Sequence, residues 1–187
     1  MKIIKIKKFF NNSVIIFKTK KFIDKRGVFY ESYNKKDLFK IGISDNFVQD
    51  NSSYSKQMGT VRGLHFQKPP FEQAKLIRVN NGKIQDVIVD LRKKSKSFGN
   101  YQSFIISKEN GYQLFIPSGF AHGFCVLEKN TEVFYKTSKY YSSTHEEAIL
   151  WNDKLLSINW KIKTNKAILS LKDQKAKKFI DIKSPFN

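Results

Sequence analysis

A single cysteine, Cys125, leaves no partner for an intramolecular disulfide, and a cytosolic, cytoplasmic home is the natural expectation. Its flanks, Phe124 and Val126, suggest a small core residue rather than a reactive thiol. Four prolines and nine glycines are too few for a collagenous or low-complexity chain. No apolar run reaches the eighteen or so residues of a membrane span, so no membrane partner is expected. The N-terminal MKIIKIKKFF is basic, but lysine interrupts its apolar residues every second or third position. It therefore reads as a strand with one wet face, not as a signal peptide. Acidic residues are also scarce, 16 against 35 Lys+Arg, for a formal charge of +19. That excess would suit a polyanion. Yet only Arg26, Arg62, Arg78 and Arg92 carry the bidentate fork that reads phosphates and base edges, and the lysines run from end to end. The charge is read as a lysine-rich surface that helps draw in a small anionic substrate, without a nucleic-acid partner.

What is abundant is aromatic and β-branched. Short apolar runs recur every eight to twelve residues with turn residues between them. Residues 2–8 alternate, and Val14 to Phe17 and Val28 to Tyr33 read as strands on either side of the turn Asp24 to Gly27. Asn34 is placed to cap a short helix over Lys35 to Ile41. Phe47 to Asn51 reads as a strand running into a polar loop, Ser52 to Gly59. Asn80-Asn81-Gly82 signals a hairpin between Lys75–Val79 and Lys83–Leu91. Tyr101–Ile106, Tyr112–Ile116, Ala121–Leu127 and Glu132–Ser138 continue the series. No helical periodicity longer than about two turns appears before residue 140. The pattern predicts an all-β sandwich or barrel with jelly-roll closure at Gly82 and Gly119, and short peripheral helices. With 187 residues and no linker, one domain over 1–187 is expected. A less regular segment from about residue 142 would pack on it, with a small basic helix over Lys172 to Phe179.

The stretch Thr60 to Pro70, TVRGLHFQKPP, concentrates the polar chemistry. Arg62 and His65 are three apart, so an ideal strand would turn them to opposite faces unless the chain bulges at Gly63. Other polar residues beside apolar runs are Arg26, Glu31, Gln49, Asp50, Asn51, Gln67, Lys75, His122, Tyr135, Glu146, Lys172 and Asp173. Two histidines in a β-barrel raise the question of a metal. The metal-binding cupin pattern has two histidines one residue apart, then a glutamate, then a third histidine one hairpin later. Here the second histidine is Gln67, and an amide is a poor ligand for zinc or iron. No metal and no cofactor are expected. Acid–base chemistry is then the alternative: His65 as base, Tyr135 as acid and Lys75 as stabiliser of an oxyanion. That set suits proton abstraction beside a carbonyl and reprotonation.

Several motifs together carry a resemblance. They are Asp24-x-Arg26-Gly27-x-Phe29-x-Glu31, Gln49-Asp50-Asn51-x-Ser53 and Val61 to Gln67. Further along come Ile116-Pro117-x-Gly119-Phe120-Ala121-His122-Gly123-Phe124, Tyr135-Lys136, Ile149-x-Trp151-Asn152-Asp153 and Leu169-Ser170-x-Lys172-Asp173. In this order they resemble the dTDP-4-dehydrorhamnose 3,5-epimerase family. The resemblance implies a cupin jelly roll, a homodimer and a metal-free reaction on dTDP-4-dehydro-6-deoxy-D-glucose. It implies His65 as base with Asp173 as its carboxylate partner, and Tyr135 as acid from the opposite face. Lys75 and Arg62 would lie around the sugar and its enolate. Arg26, Glu31, Gln49, Asn51, His122, Glu146 and Lys172 would hold the nucleotide and diphosphate, with Phe29 in the same early segment. Tyr140 or Tyr141 would stack on thymine. The segment from Arg26 to Glu31 is expected to reach the neighbouring subunit's site. A 3-epimerase, a 5-epimerase or a 3,4-ketoisomerase on the same fold is the first alternative. A non-catalytic polyanion-binding protein, motivated by charge alone, is the second.

Overall fold

The alternation read from the sequence becomes two antiparallel sheets in a computed structural model that describes residues 1–187. The strands are β1 (Ile3–Phe9), β2 (Val14–Thr19), β3 (Phe22–Asp24), β4 (Gly27–Phe29), β5 (Gln49–Ser55), β6 (Val61–Gln67) and β7 (Lys75–Asn81). They continue with β8 (Lys83–Asp90), β9 (Tyr101–Ser107), β10 (Tyr112–Ile116), β11 (Phe120–Val126), β12 (Thr131–Thr137) and β13 (Glu146–Ala148). Two short helices are α1 (Lys35–Lys40) and α2 (Leu171–Gln174). One sheet has the order β1-β2-β10-β7-β12-β5 and the other β13-β6-β11-β8-β9, while β3 and β4 form a separate hairpin. This is the cupin jelly roll, and its main core lies between the sheets. Ile16, Ile77, Val79, Leu114, Ile116 and Val133 face Ile84, Ile88, Phe104, Ile106, Phe120, Phe124 and Val126. Burying each large side chain contributes about 1.5–3 kcal/mol.

The strand β8 is buried on both faces, but only one of them meets the other sheet. Val87 and Val89, on the opposite parity, pack with Leu64 and Phe66 under Ile149, Leu156 and Phe186 of the C-terminal segment. That segment is thus a third layer, which explains the double apolar parity of the strand.

Four local expectations are corrected. Asn80-Asn81-Gly82 does not close a hairpin: β7 pairs with β10 and β12, and β8 with β9 and β11. The turn is a corner between sheets, and a Cβ at Gly82 (φ +77°) would lie 2.2 Å from Thr131 Oγ1. The polar loop after Asn51 is strand as far as Ser55, because β12 offers a full ladder from Thr137↔Gln49 to Thr131↔Ser55. The run Val28 to Tyr33 is paired only through Phe29, against Phe22 to Asp24. The basic helix of the tail is reduced to Leu171–Gln174. The predicted α1 forms, with Asn34 Oδ1 accepting from Asp37 N at 3.2 Å.

Candidate active site

At one end of the sandwich the inward-facing positions stop being apolar. Lys75 precedes core Ile77 by two residues, and Tyr135 follows core Val133 by two. Asp86 sits between core Ile84 and Ile88, and His122 precedes core Phe124 by two. Period-two geometry therefore turns all four side chains into the sandwich. Lys75, His122 and Tyr135 line a cavity of about 630 Å³ together with Arg62, His65, Asp173, Ser53 and Phe124, while Asp86 lies buried behind His122.

The puzzle of Arg62 and His65 is resolved by the predicted irregularity in β6. His122 pairs with His65 and Phe124 with Arg62, so two steps on β11 match three on β6. The extra residue falls at Gly63-Leu64, with Gly63 at φ +102°. Both side chains consequently reach the same cavity. A Cβ at Gly63 would lie 2.6 Å from the His122 carbonyl oxygen and 2.8 Å from Gly123 Cα, so only glycine fits there.

His65 Nε2 lies 2.6 Å from Asp173 Oδ1. Asp173 is delivered by α2, whose N-cap Ser170 accepts from Asp173 N at 3.1 Å and donates to Asp173 Oδ2 at 2.9 Å. Burial works against the Asp173 carboxylate, but the hydrogen bonds from His65 and Ser170 outweigh it and hold the group below its ordinary value. With Nε2 committed, Nδ1 is the nitrogen free to take a proton. On the cavity floor, His122 Nε2 meets Asp86 Oδ2 at 2.9 Å. Burial pushes His122 below its ordinary value, against the pull of Asp86, so the ring is neutral at pH 7. Burial lowers Lys75 to about 8, opposed by Glu146 and Asp86, and raises the Tyr135 phenol.

A smaller cavity of about 120 Å³ continues from the first and shares His65, Lys75 and Tyr135 with it. Gln49, Asn51, Tyr141 and Glu146 complete its wall. Gln49 Nε2 donates to Asn51 Oδ1 at 2.9 Å, and its oxygen accepts from Tyr141 N at 3.0 Å. Glu146 accepts from Tyr141 Oη at 2.7 Å and pairs with Lys172. Arg62 Nη2 donates to the Tyr54 carbonyl at 3.3 Å.

Gln67, the residue in place of a second imidazole, has structural work. Its amide donates to the carbonyls of Phe71 and Tyr140 and accepts from Ser142 N at 2.7 Å. Arg26, Phe29 and Glu31 are not brought to either cavity of their own chain. Arg26 pairs with Asp24, Phe29 is 69% exposed and Glu31 pairs with the Met1 amine. Two further residues support the site: Asp86 backs His122 from below the cavity, and Ser170 lies on its wall and holds Asp173. Asp86 was discoverable as a charge between Ile84 and Ile88, and Ser170 as the cap three residues before Asp173.

A paired histidine and carboxylate, a half-buried phenol and a half-buried lysine around one polar cavity define a jelly-roll site built for acid–base chemistry. Residues 11–181 match the family model for dTDP-4-dehydrorhamnose 3,5-epimerase. The enzyme of that name from Shigella flexneri is 47% identical over 169 residues, covering 90% of this chain and 92% of its own. The Bacillus anthracis epimerase, solved with TDP and PPi bound, is 48% identical with a TM-score of 0.89, over 93% of this chain and 98% of its own. The Legionella pneumophila dTDP-6-deoxy-D-glucose-3,5-epimerase, solved in complex with dTDP-4-keto-L-rhamnose, is 41% identical with a TM-score of 0.90. It aligns over 95% of this chain and 94% of its own. The chain belongs to the dTDP-4-dehydrorhamnose 3,5-epimerase family.

Proposed function

We propose that this chain inverts C3 and C5 of dTDP-4-dehydro-6-deoxy-D-glucose to give dTDP-4-dehydro-L-rhamnose. The observation that carries this reading is the His65–Asp173 pair at 2.6 Å in a cavity also lined by Tyr135. The C4 ketone acidifies the protons on its two neighbours, C3 and C5. His65 Nδ1 takes such a proton, and the Asp173 carboxylate behind Nε2 stabilises the imidazolium that results. Lys75 and Arg62 stabilise the negative charge that develops on the ketone oxygen. Tyr135 returns a proton to the opposite face, which inverts the centre. Gln49, Asn51 and Lys172 suit the nucleoside and diphosphate, and Tyr141 offers a ring for thymine. His122 closes the floor as a neutral imidazole backed by the Asp86 carboxylate, and no metal enters any step.

The chain acts as a homodimer in this reading, because Arg26, Phe29 and Glu31 lie away from their own cavity on a hairpin with exposed apolar side chains. A cytoplasmic location fits the lone buried thiol of Cys125, which burial pushes up to about 11. The test is proton NMR of the dTDP-4-keto sugar with the enzyme in deuterated water. Deuterium is expected at both C3 and C5, and coupling to a reductase that accepts only the L-rhamno product consumes it. Exchange at one carbon only would overturn double epimerisation in favour of a mono-epimerase.

A further inference from the structure

Inverting two carbons with one base sets a proton problem. After the first inversion His65 holds the proton taken from carbon, and Tyr135 has given its own away. The second inversion needs a neutral imidazole and a neutral phenol again. Some group must therefore carry a proton from one to the other while the substrate remains bound.

Because Nε2 faces Asp173, the acquired proton sits on His65 Nδ1. The carboxylate nearest to that nitrogen is Glu146, with Oε1 at 3.9 Å. Its other oxygen, Oε2, accepts from Tyr141 and pairs with Lys172, so the carboxylate is clamped at one end and turns Oε1 toward His65. Glu146, His65 and Tyr135 all line the smaller cavity, whose polar walls suit bridging water. The other charged groups near His65 are committed. Asp173 is bonded on the Nε2 side and to Ser170, Lys75 has no acceptor as a cation, and the His122–Asp86 pair does not line this cavity.

We propose, resting on the double-epimerase reading, that Glu146 is the relay that resets the acid–base pair between the two inversions. The Nδ1–H bond of the imidazolium breaks and an O–H bond forms on Glu146 Oε1, through a water across the 3.9 Å gap. The carboxylic acid then gives its proton through the same cavity to the Tyr135 phenolate. The bridging water takes the abstracted proton and hands on one of its own, so in deuterated water it is a deuteron that reaches Tyr135; the net charge of the site is unchanged, and no further reactant is consumed. The local electrostatics agree with both transfers. Burial pushes the Glu146 carboxyl up, but the hydrogen bonds from Lys172 and Tyr141 outweigh it, so the group starts as a carboxylate. Burial raises the Tyr135 phenol, so a phenolate there recovers a proton readily.

The experiment compares wild type with Glu146→Gln, which keeps an acceptor for Tyr141 and Lys172 but cannot carry the proton. Early product formed in deuterated water is analysed for molecules labelled at one carbon and at both. Glu146→Gln is expected to raise the ratio of singly to doubly labelled product by about ten-fold or more. In Glu146→Ala the same rise is expected, and added acetate should reverse it. Calorimetric titration with dTDP checks that the variants are folded and bind. Equal slowing at the two carbons in Glu146→Gln, or no effect of acetate on the ratio in Glu146→Ala, would overturn the relay while leaving the epimerase reading intact. A wild-type protein that labels neither carbon sinks the epimerase reading itself.

Discussion

Lys75 shows how a residue can serve the site at the expense of the fold. Burial lowers it to about 8, against an ordinary 10.5. Between those values the unfolded chain holds a proton that the folded chain has released, so the lysine's contribution to stability rises with pH across that window and is unfavourable below it. Lys75→Met is expected to raise the melting temperature at pH 7, with the gain over wild type shrinking as pH climbs from about 8 toward 10.5. The same variant should lose most deuterium exchange at every pH, because the enolate loses its cation. For wild type, kcat/KM should fall above about pH 8 as Lys75 deprotonates. A melting temperature lower than wild type at pH 7 would argue against a half-buried cation held at a cost to the fold. Lys75 was legible because a charge next to Leu76 and Ile77 needs a reason. Asp86 has the same signature, but nothing local tells which strand will lie beside it. Its partner His122 is 36 residues away and meets it only when β11 pairs with β8.

At the scale of elements, the irregularity in β6 was readable and the corner at Gly82 was not. The sequence distance of three between Arg62 and His65 conflicts with a regular strand, and a glycine between them points to a bulge. At Asn80-Asn81-Gly82 the same turn chemistry serves a hairpin or a sheet-to-sheet corner. The choice is made by β10, β12, β9 and β11, which arrive later in the chain and pair on either side. The two glycines therefore make a controlled comparison. Alanine at either position meets backbone or side-chain atoms below 3 Å at a positive φ. Each substitution should cost about 2–4 kcal/mol of stability, read by denaturant unfolding. Only Gly63→Ala should abolish exchange in the protein that remains folded, because only that backbone aims His65 at Asp173. Equal residual activity in the two variants would mean that the bulge has no part in placing the base.

At the scale of the whole molecule, one chain gathers the acid–base residues in its own cavity but leaves Arg26, Phe29 and Glu31 outside it. The cavity holds His65, Tyr135, Asp173 and Lys75, all from the two sheets and the tail packed on them. The early hairpin stands outside both sheets, with Ile23 77% exposed and Phe22, Val28 and Phe29 more than half exposed. Exposed apolar side chains on a projecting element suit a partner surface, and a two-fold dimer would present the same hairpin to each site. The motif around Arg26 was legible in the sequence, but in the proposed dimer its destination would depend on two chains. A mixing experiment decides where Arg26 acts. Arg26→Ala and His65→Asn chains, each inactive alone, are unfolded together and refolded. If Arg26 serves the neighbouring site, a mixed dimer has one site with both residues intact. Random pairing then restores about a quarter of wild-type turnover. If Arg26 serves its own chain, no site in any pairing carries both residues and the mixture stays inactive. Recovery that grows with the fraction of mixed dimer, measured after separating the species by an affinity tag on one chain, ties the gain to the shared site.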